Sequence, residues 1–253
     1  MIANRLSEEA ERAAERYALV TKEWQRLYDE ALGADDFGSA ALTARIMAAA
    51  YQVSLRHIAD EDAHIEGALS AIAQSARETT LSQIASIEAS DLSDDALEHL
   101  AQSQSYLINE IAAQMQRDLA TLRQKLQAAA LAVRASVRTR RMNERMAMLD
   151  YRMSSFGKLE FTFYDRRSYR WISRKFVRTV WRHTLLAAYN EMVLMTAADH
   201  GHAEIAVVTE SEGVLQTQGQ VSLRDDALGY AAACEHFFHP NSTCFLSMEA
   251  GHV

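Results

Sequence analysis

Apolar residues recur at three- and four-residue steps near the start of the chain, which is the spacing of one helix face. They are Leu6, Ala10, Ala13, Tyr17, Val20, Trp24, Leu27, Tyr28 and Ala31. The run Gly33–Asp36 then interrupts the pattern. The spacing therefore predicts a helix over residues 6–32 that buries this face and ends at a turn.

A second run, over residues 38–77, is rich in alanine and contains Ile46, Tyr51, Val53, Leu55 and Ile58 as its larger apolar members. Glycine and proline break helices, and only three glycines and no proline occur in the first 156 residues. The run predicts either one long helix or two shorter helices that meet near Asp60–Asp62.

A third helix is indicated by Ser93, whose side chain suits an N-cap, and by Asp94 and Asp95 in the first turn. Apolar residues at helical spacing continue from Leu97 through Tyr106 to Leu131, and no breaker occurs before Gly157. A helix of about 40–60 residues, or about 60–90 Å, is expected. Its steps drift instead of holding heptads, which favours a helical bundle over a coiled coil.

The pattern changes after Gly157, where alternating and β-branched residues become frequent. We predict a strand over 159–164, a helix over 169–198 closed by Gly201, two hairpin strands over 204–209 and 214–223, and an irregular tail over 234–253. The expected fold class is predominantly helical α+β. A helical region over 1–155 would precede an α+β domain over 157–253, whose hairpin packs on the 169–198 helix.

The formal net charge of −8 is unevenly distributed. Residues 1–133 carry a net −10, residues 134–186 a net +10, and residues 187–253 a net −8. The acidic ends argue against a dedicated DNA-binding protein. The longest apolar runs are shorter than the roughly 20 residues of a membrane span, and the N-terminus is charged from residue 5, so a cytoplasmic, non-secreted product is expected.

Basic side chains in the first half of the predicted 169–198 helix, and just before it, form a candidate binding surface. Four arginines at four-residue intervals would lie on one helix face, with two further basic residues nearby: Arg170, Arg174, Arg178 and Arg182, with Arg167 and Lys175. Guanidinium groups suit phosphate or carboxylate contacts. The surface therefore predicts binding to DNA or to an acidic face of a partner protein. The alternatives are that it pairs with the acidic front half of the chain or is simply solvated.

Two thiols and two imidazoles lie within eleven residues near the C-terminus: Cys234, His236, His239 and Cys244. These groups are chemically suited to zinc, although their spacing matches no common zinc finger. The alternative is a tail anchored by Phe237, Phe238 and Phe245, in which the Cys and His residues are incidental. No other cofactor is indicated.

The last third of the chain resembles the C-terminal domain of MuF-type head-morphogenesis and minor capsid proteins of tailed bacteriophages. The resemblance lies in Arg178-Thr179 and Asn190 on one predicted helix, followed by a short β segment and the element His239-Pro240-Asn241 with Cys244. It covers residues 157–250. The long helical region before it also resembles that family's layout.

The chain departs from the family pattern at two places. Residues 209–213 read Thr-Glu-Ser-Glu-Gly where the family often carries a Cys-x2-Cys pair, and Ser242 stands where a cysteine is expected. These departures weaken the case for the family's metal site in this chain, for which Cys234, His236, His239 and Cys244 stay the candidate ligands.

The resemblance implies a structural virion protein, present in several copies at the portal vertex or capsid interior. Its implied partners are the portal protein, the major capsid protein and packaged DNA, without a membrane. It would act in head assembly and in DNA packaging or delivery, and it would occupy the host cytoplasm during assembly. A stand-alone nucleic-acid-binding module is the first alternative.

An enzyme is the remaining alternative. Glu210-Ser211-Glu212 is similar to the Glu-x-Glu of ADP-ribosyltransferases, but no Ser-Thr-Ser strand precedes it. His183 and His200, with Asp199, are titratable groups without a nucleophile elbow or a phosphate loop. We therefore predict that the protein is not an enzyme.

Overall fold

The computed structural model places a helical N-terminal bundle of long helices before a C-terminal region with small antiparallel sheets, which confirms the α+β class. The structure describes residues 2–86, 91–154, 158–211, 214–223, 229–239 and 242–249. The helices are α1 (Ile2–Gly33), α2 (Ala40–Gln83), α3 (Asp94–Arg140), α4 (Glu144–Met153), α5 (Ser173–Asp199) and α6 (Tyr230–His236). The strands are β1 (Thr162–Tyr164), β2 (Arg170–Ile172), β3 (Glu204–Ser211), β4 (Val214–Ser222) and β5 (Phe245–Ser247).

The predicted apolar face of α1 is confirmed, because all nine of its residues from Leu6 to Ala31 are buried. Trp24, on this face, contacts two distant segments of the chain. Its ring lies 5.4 Å from the ring of Phe161, and its Nε1 donates a 3.1 Å hydrogen bond to the carbonyl of Ala50 on α2.

Helix α2 runs unbroken from Ala40 to Gln83, so the alternative of a break near Asp60–Asp62 is wrong. The larger apolar residues Tyr51 and Leu55 are exposed, whereas the buried positions in mid-helix are Ser54, His57 and Glu61. Because Ile46 is buried, residue size indicated the buried face of this alanine-rich helix only in part.

Helix α3 begins as predicted, with the Ser93 side chain accepting a hydrogen bond from the Ala96 N–H at 3.3 Å. Its 47 residues fall within the predicted length, but it ends at Arg140, well before Gly157. A separate helix, α4, follows and is capped by the Asn143 side chain. Three residues expected on the apolar face are exposed: Leu97, Tyr106 and Leu131.

Two corrections apply after residue 157. Arg170 lies on strand β2, because α5 begins only at Ser173. The predicted irregular tail contains helix α6 and strand β5 in its described part. Gly201 closes α5 as predicted, at a φ of +75° that favours glycine.

The predicted 204–223 hairpin is confirmed as β3 and β4, with the predicted turn residue Gly213 outside the described residues. Strand β3 is central in the three-stranded antiparallel sheet β4-β3-β5. Its middle residues, Ile205–Val208, are all buried, whereas most of β4 alternates between exposed and half-buried residues. The central strand β3 thus has a continuous apolar run, whereas its neighbour β4 has an alternating pattern.

The chain forms two compact units, each built from separate stretches. Unit 1 comprises Met1–Ala13, Glu61–Asn109 and Val177–Val253, and unit 2 comprises Ala14–Asp60 and Glu110–Phe176. The boundary predicted at residues 155–157 lies outside the described residues, so the division into 1–155 and 157–253 stays a prediction.

Candidate functional site

Opposite net charges distinguish the two units. Unit 1 carries 6 Lys and Arg against 21 Asp and Glu, a net −15, and unit 2 carries 20 against 13, a net +7. The fold therefore collects most of the basic side chains into a unit that also contains residues from α1 and α2.

An exposed basic cluster of unit 2 lies on the hairpin β1–β2 and the first turn of α5. We call it the basic hairpin, and its exposed cationic residues are Arg166, Arg167, Arg170, Arg174 and Lys175. Two tyrosines of the same segment are also solvent-exposed: Tyr164 at 68% and Tyr169 at 66%. Large aromatic side chains beside arginines are typical of nucleic-acid-binding surfaces.

The basic hairpin has an inner and an outer face. Phe163 and Trp171 pair across the strands, and their rings lie 5.3 and 6.3 Å from the ring of Phe176 on α5. The guanidinium of Arg117 stands 5.0 Å from the Phe163 ring and 5.5 Å from the Phe176 ring, at cation–π distance. This aromatic cluster anchors the inner face.

The outer face carries the other cross-strand pairs, because successive side chains of a strand point to opposite sides. Tyr164 pairs with Arg170, and Thr162 pairs with Ile172. Arg170 also forms a 2.6 Å ion pair with Glu160, in which both side chains are exposed. Such an exposed pair contributes little stability and can exchange its partner for another anion.

Asp165 holds the tip of the hairpin in one shape. Its Oδ1 accepts hydrogen bonds from the backbone N–H groups of Arg167 at 2.8 Å and Tyr169 at 2.9 Å, and its Oδ2 accepts one from Trp171 Nε1 at 3.1 Å. These bonds hold the pKa of the Asp165 carboxyl below its usual range, and the bond from Trp171 has the largest effect. Ser168, within the tip, has a φ of +61°, a conformation that the surrounding bonds maintain.

A buried polar cluster supports the base of the hairpin. The Ser173 N–H donates to the carbonyl of Phe161 at 3.0 Å, and the Ser173 Oγ lies 2.8 Å from Asp118 Oδ1. Asp118 also accepts hydrogen bonds from Tyr17 at 2.7 Å and from Gln114 at 2.9 Å. Burial outweighs these bonds and raises the pKa of the Asp118 carboxyl to about 6.

The remaining two arginines of the predicted row belong to unit 1 and have partners there. Arg178 forms a 2.7 Å ion pair with Glu11. Arg182 is only 9% exposed, and it donates hydrogen bonds to the carbonyl of Ser242 and to Ser7 Oγ. Arg182 is thus buried by contacts within unit 1, whereas the four basic residues Arg167, Arg170, Arg174 and Lys175 are exposed.

One residue of the family resemblance, Asn190, contacts the C-terminal strand. Asn190 Oδ1 on α5 accepts a 3.0 Å hydrogen bond from the Leu246 N–H of β5, and the ring of Tyr189 lies 5.9 Å from that of Phe245. Gln83 adds hydrogen bonds to Ser247 Oγ and from the Met248 N–H, both at 3.0 Å. Together these contacts fasten β5 to α5 and α2.

The other residues of the motif differ in burial and in the element on which they lie. Thr179 is half-buried on α5 and His239 is exposed, and Pro240 and Asn241 lie outside the described residues. Among the residues that the structure describes, which include Cys234, His236, His239 and Cys244, no three Cys, His, Asp or Glu side chains are arranged to hold a metal. The geometry therefore does not support the predicted zinc ligands.

The candidate catalytic residues that the structure describes lie on different elements, with His183 and Asp199 on α5 and Glu210 on β3. His200 uses both ring nitrogens, which lie 2.8 Å from the carbonyl of Thr196 and 3.2 Å from Ser86 Oγ. Burial lowers the pKa of His183, which favours a neutral ring. Glu210 is half-buried at the end of β3, and Glu212 lies outside the described residues. The prediction that the protein is not an enzyme stays a prediction.

Sequence reasoning missed Asp118, Ser173 and the tyrosines of the hairpin. The burial of Asp118 could have been predicted from the sequence, because this residue falls at helical spacing between Met115 and Leu122, which are buried. A carboxylate on an apolar face needs hydrogen-bond donors, so its position predicts a polar cluster.

Comparison with family models, with curated proteins and with solved structures gives no match. In the described part of the chain, no helix combines the length and the apolar character needed to cross a membrane.

Proposed function

We propose that the protein is a structural minor head protein of a tailed bacteriophage, bound at the portal vertex or capsid interior. The observation that carries the proposal is the contact between Asn190 and the Leu246 N–H. Asn190 belongs to the motif of the resemblance, and Leu246 lies five residues after Asn241 of its His-Pro-Asn element. The motif residues thus have a structural reason to occur together, since the helix residue holds the strand that follows the element.

The layout of the chain also supports this role. Long helices offer extended surfaces to other proteins, and the small α+β region resembles the domain that MuF-type proteins carry after their helical part.

The charges of the two units suit two kinds of partner. The net +7 of unit 2 favours packaged DNA or an acidic protein face, and the net −15 of unit 1 suits a basic or neutral protein face. We assign the portal and major capsid proteins as the protein partners, with several copies of this chain per virion.

Co-expression with the portal and major capsid genes of the genome that encodes this chain tests the proposal. Particles purified by density gradient and analysed by mass spectrometry should contain the chain, and a pull-down should recover the portal protein. A soluble, folded chain that is absent from particles and does not bind portal protein would contradict the proposal. The variant Leu131→Ser, which alters an exposed side chain, serves as a control for expression and folding.

A further inference from the structure

We infer that the basic hairpin is a DNA-contacting element that holds phosphates with its arginines and stacks Tyr164 and Tyr169 on bases. The inference deepens the proposed function and rests on it for the choice of DNA as the nucleic acid; because the rings stack only on unpaired bases, the contact is with a single strand or with unpaired bases of the packaged duplex. The hairpin itself, with its charge and its exposed rings, is described by the structure independently of that choice.

Charge complementarity supports an anionic occupant. Arg166 and Arg167 occupy the tip, Arg170 lies on the outer face, and Arg174 and Lys175 follow in the first turn of α5; all five are exposed. A guanidinium offers a planar pair of donors to a phosphate, and several such contacts give an affinity that falls steeply with salt.

The tyrosines favour nucleic acid over an acidic protein face. Both rings are about two-thirds exposed, and Tyr164 lies directly across from Arg170. A phosphate bound by Arg170 would therefore bring its base close to an aromatic ring. Tyrosine rings stack on unpaired bases, so the hairpin should bind single-stranded DNA, or a duplex with unpaired bases, more tightly than a fully paired duplex.

The tip is preorganised for this contact. Asp165 accepts hydrogen bonds from two backbone N–H groups of the tip and from Trp171 Nε1, so its negative charge is directed into the loop. Loss of Asp165 removes one negative charge and also releases the loop. Charge alone predicts tighter DNA binding by Asp165→Ala, whereas a preorganised hairpin predicts weaker binding.

The test uses the purified full chain and fluorescence anisotropy with labelled oligonucleotides, namely oligo-dT and a duplex of equal length. Arg166→Gln/Arg167→Gln should weaken binding to both probes and reduce the salt dependence. The matched control is Arg45→Gln/Arg56→Gln, which makes the same charge change at two exposed arginines of α2 in the same unit and should change affinity little.

The tyrosines are tested separately. Tyr164→Ala/Tyr169→Ala should weaken oligo-dT binding by about tenfold or more, and duplex binding much less, because only unpaired bases can stack. Tyr164→Phe/Tyr169→Phe keeps the rings and should retain most of the affinity. Asp165→Ala should bind oligo-dT several-fold more weakly than the wild type, despite its higher positive charge.

Three results would overturn the inference. The first is no DNA binding by the wild-type chain, and the second is an equal loss of affinity in the arginine double variants of the hairpin and of α2. The third is an unchanged affinity for oligo-dT in Tyr164→Ala/Tyr169→Ala. The last result, with a loss in the arginine pair, would indicate a contact by charge alone, as an acidic protein face would make. Particle incorporation is measured independently, so a chain that enters particles but fails these tests refutes the hairpin contact and leaves the proposed function standing.

Discussion

The hydroxyl of Tyr17 donates a 2.7 Å hydrogen bond to Asp118 Oδ2, although the two residues are 101 positions apart in the chain. Both side chains are buried, with Tyr17 on α1 and Asp118 on α3. Because Asp118 also lies 2.8 Å from Ser173 Oγ, this contact connects two long helices with the base of the basic hairpin. The free energy of unfolding of the protein should therefore depend on the charge of a single carboxyl.

The first prediction concerns pH. Burial raises the pKa of the Asp118 carboxyl from 3.8 to about 6 in the folded chain, so folding favours the protonated form. This contribution to stability is fully present below about pH 4 and is lost as the pH rises through about 6; it amounts to about 3 kcal/mol. Asp118→Asn cannot ionise and should not show this loss.

Urea unfolding of both proteins at about pH 4, 5, 6 and 7 measures the effect. The free energy of unfolding of the wild type should fall relative to that of Asp118→Asn across this range. A difference between the two proteins that stays constant with pH would show that Asp118 titrates normally in the folded state.

The second prediction concerns Tyr17→Phe, which removes one donor to Asp118. A buried acceptor left without its donor costs about 1–3 kcal/mol, and the cost is larger when the acceptor is charged. The loss of stability should therefore be greater at about pH 8 than at about pH 5. Thermal or urea unfolding at the two pH values measures it.

Tyr28→Phe is the matched control for Tyr17→Phe, since Tyr28 is also buried on α1 but its hydroxyl lies 3.2 Å from the hydroxyl of Tyr151 and not beside a carboxyl. Its cost should be the same at both pH values. Equal pH dependence in the two variants would mean that the carboxyl of Asp118 does not respond to Tyr17.

The third prediction concerns the attachment of β5. Asn190→Ala removes the acceptor of the Leu246 N–H and should lower the free energy of unfolding by about 1–2 kcal/mol. Hydrogen exchange in the peptide covering residues 242–249 should accelerate more than exchange elsewhere in the sheet. Mass spectrometry of exchanged peptides measures this local effect.

Thr196→Val provides the comparison, because it removes a buried hydrogen bond on the same helix, from Thr196 Oγ1 to the carbonyl of Met192. It should lower overall stability without selective exchange near β5. If the two variants accelerate exchange equally at residues 242–249, Asn190 does not specifically hold the strand.

The fourth prediction concerns the predicted boundary near residues 154–158, where mild proteolysis is expected to cut. Unit 1 takes segments from both sides of this boundary, as does unit 2. The two fragments should therefore remain associated in native size-exclusion chromatography and separate only in denaturant. Fragments that elute apart under native conditions would show that residues 1–155 and 157–253 are independent domains.

Local patterns predicted most of the helices and the larger hairpin. The apolar face of α1, the Ser93 cap of α3 and the glycine that ends α5 depend on residues close in sequence, so each could be predicted from spacing and residue type. The end of α3 at Arg140 could not, since neither glycine nor proline marks it.

The candidate site was predicted only in part. The basic residues from Arg167 to Lys175 were identified by charge, but a helical row that includes Arg170 and Arg182 was expected. Arg170 instead pairs across a β-hairpin, and Arg182 hydrogen-bonds to the carbonyl of Ser242. Four-residue spacing cannot distinguish an exposed arginine from one that binds a carbonyl 60 positions away.

The amino-acid sequence by itself determined the fold class, because helix and strand periodicities and breaker residues act over a few positions. It also determined the alternation of acidic and basic segments. Only the tertiary structure decided which segments share a unit, which arginines remain exposed and which carboxyl is buried. Those outcomes depend on contacts between distant residues, such as Tyr17 with Asp118 and Asn190 with Leu246, and on the desolvation that such contacts impose.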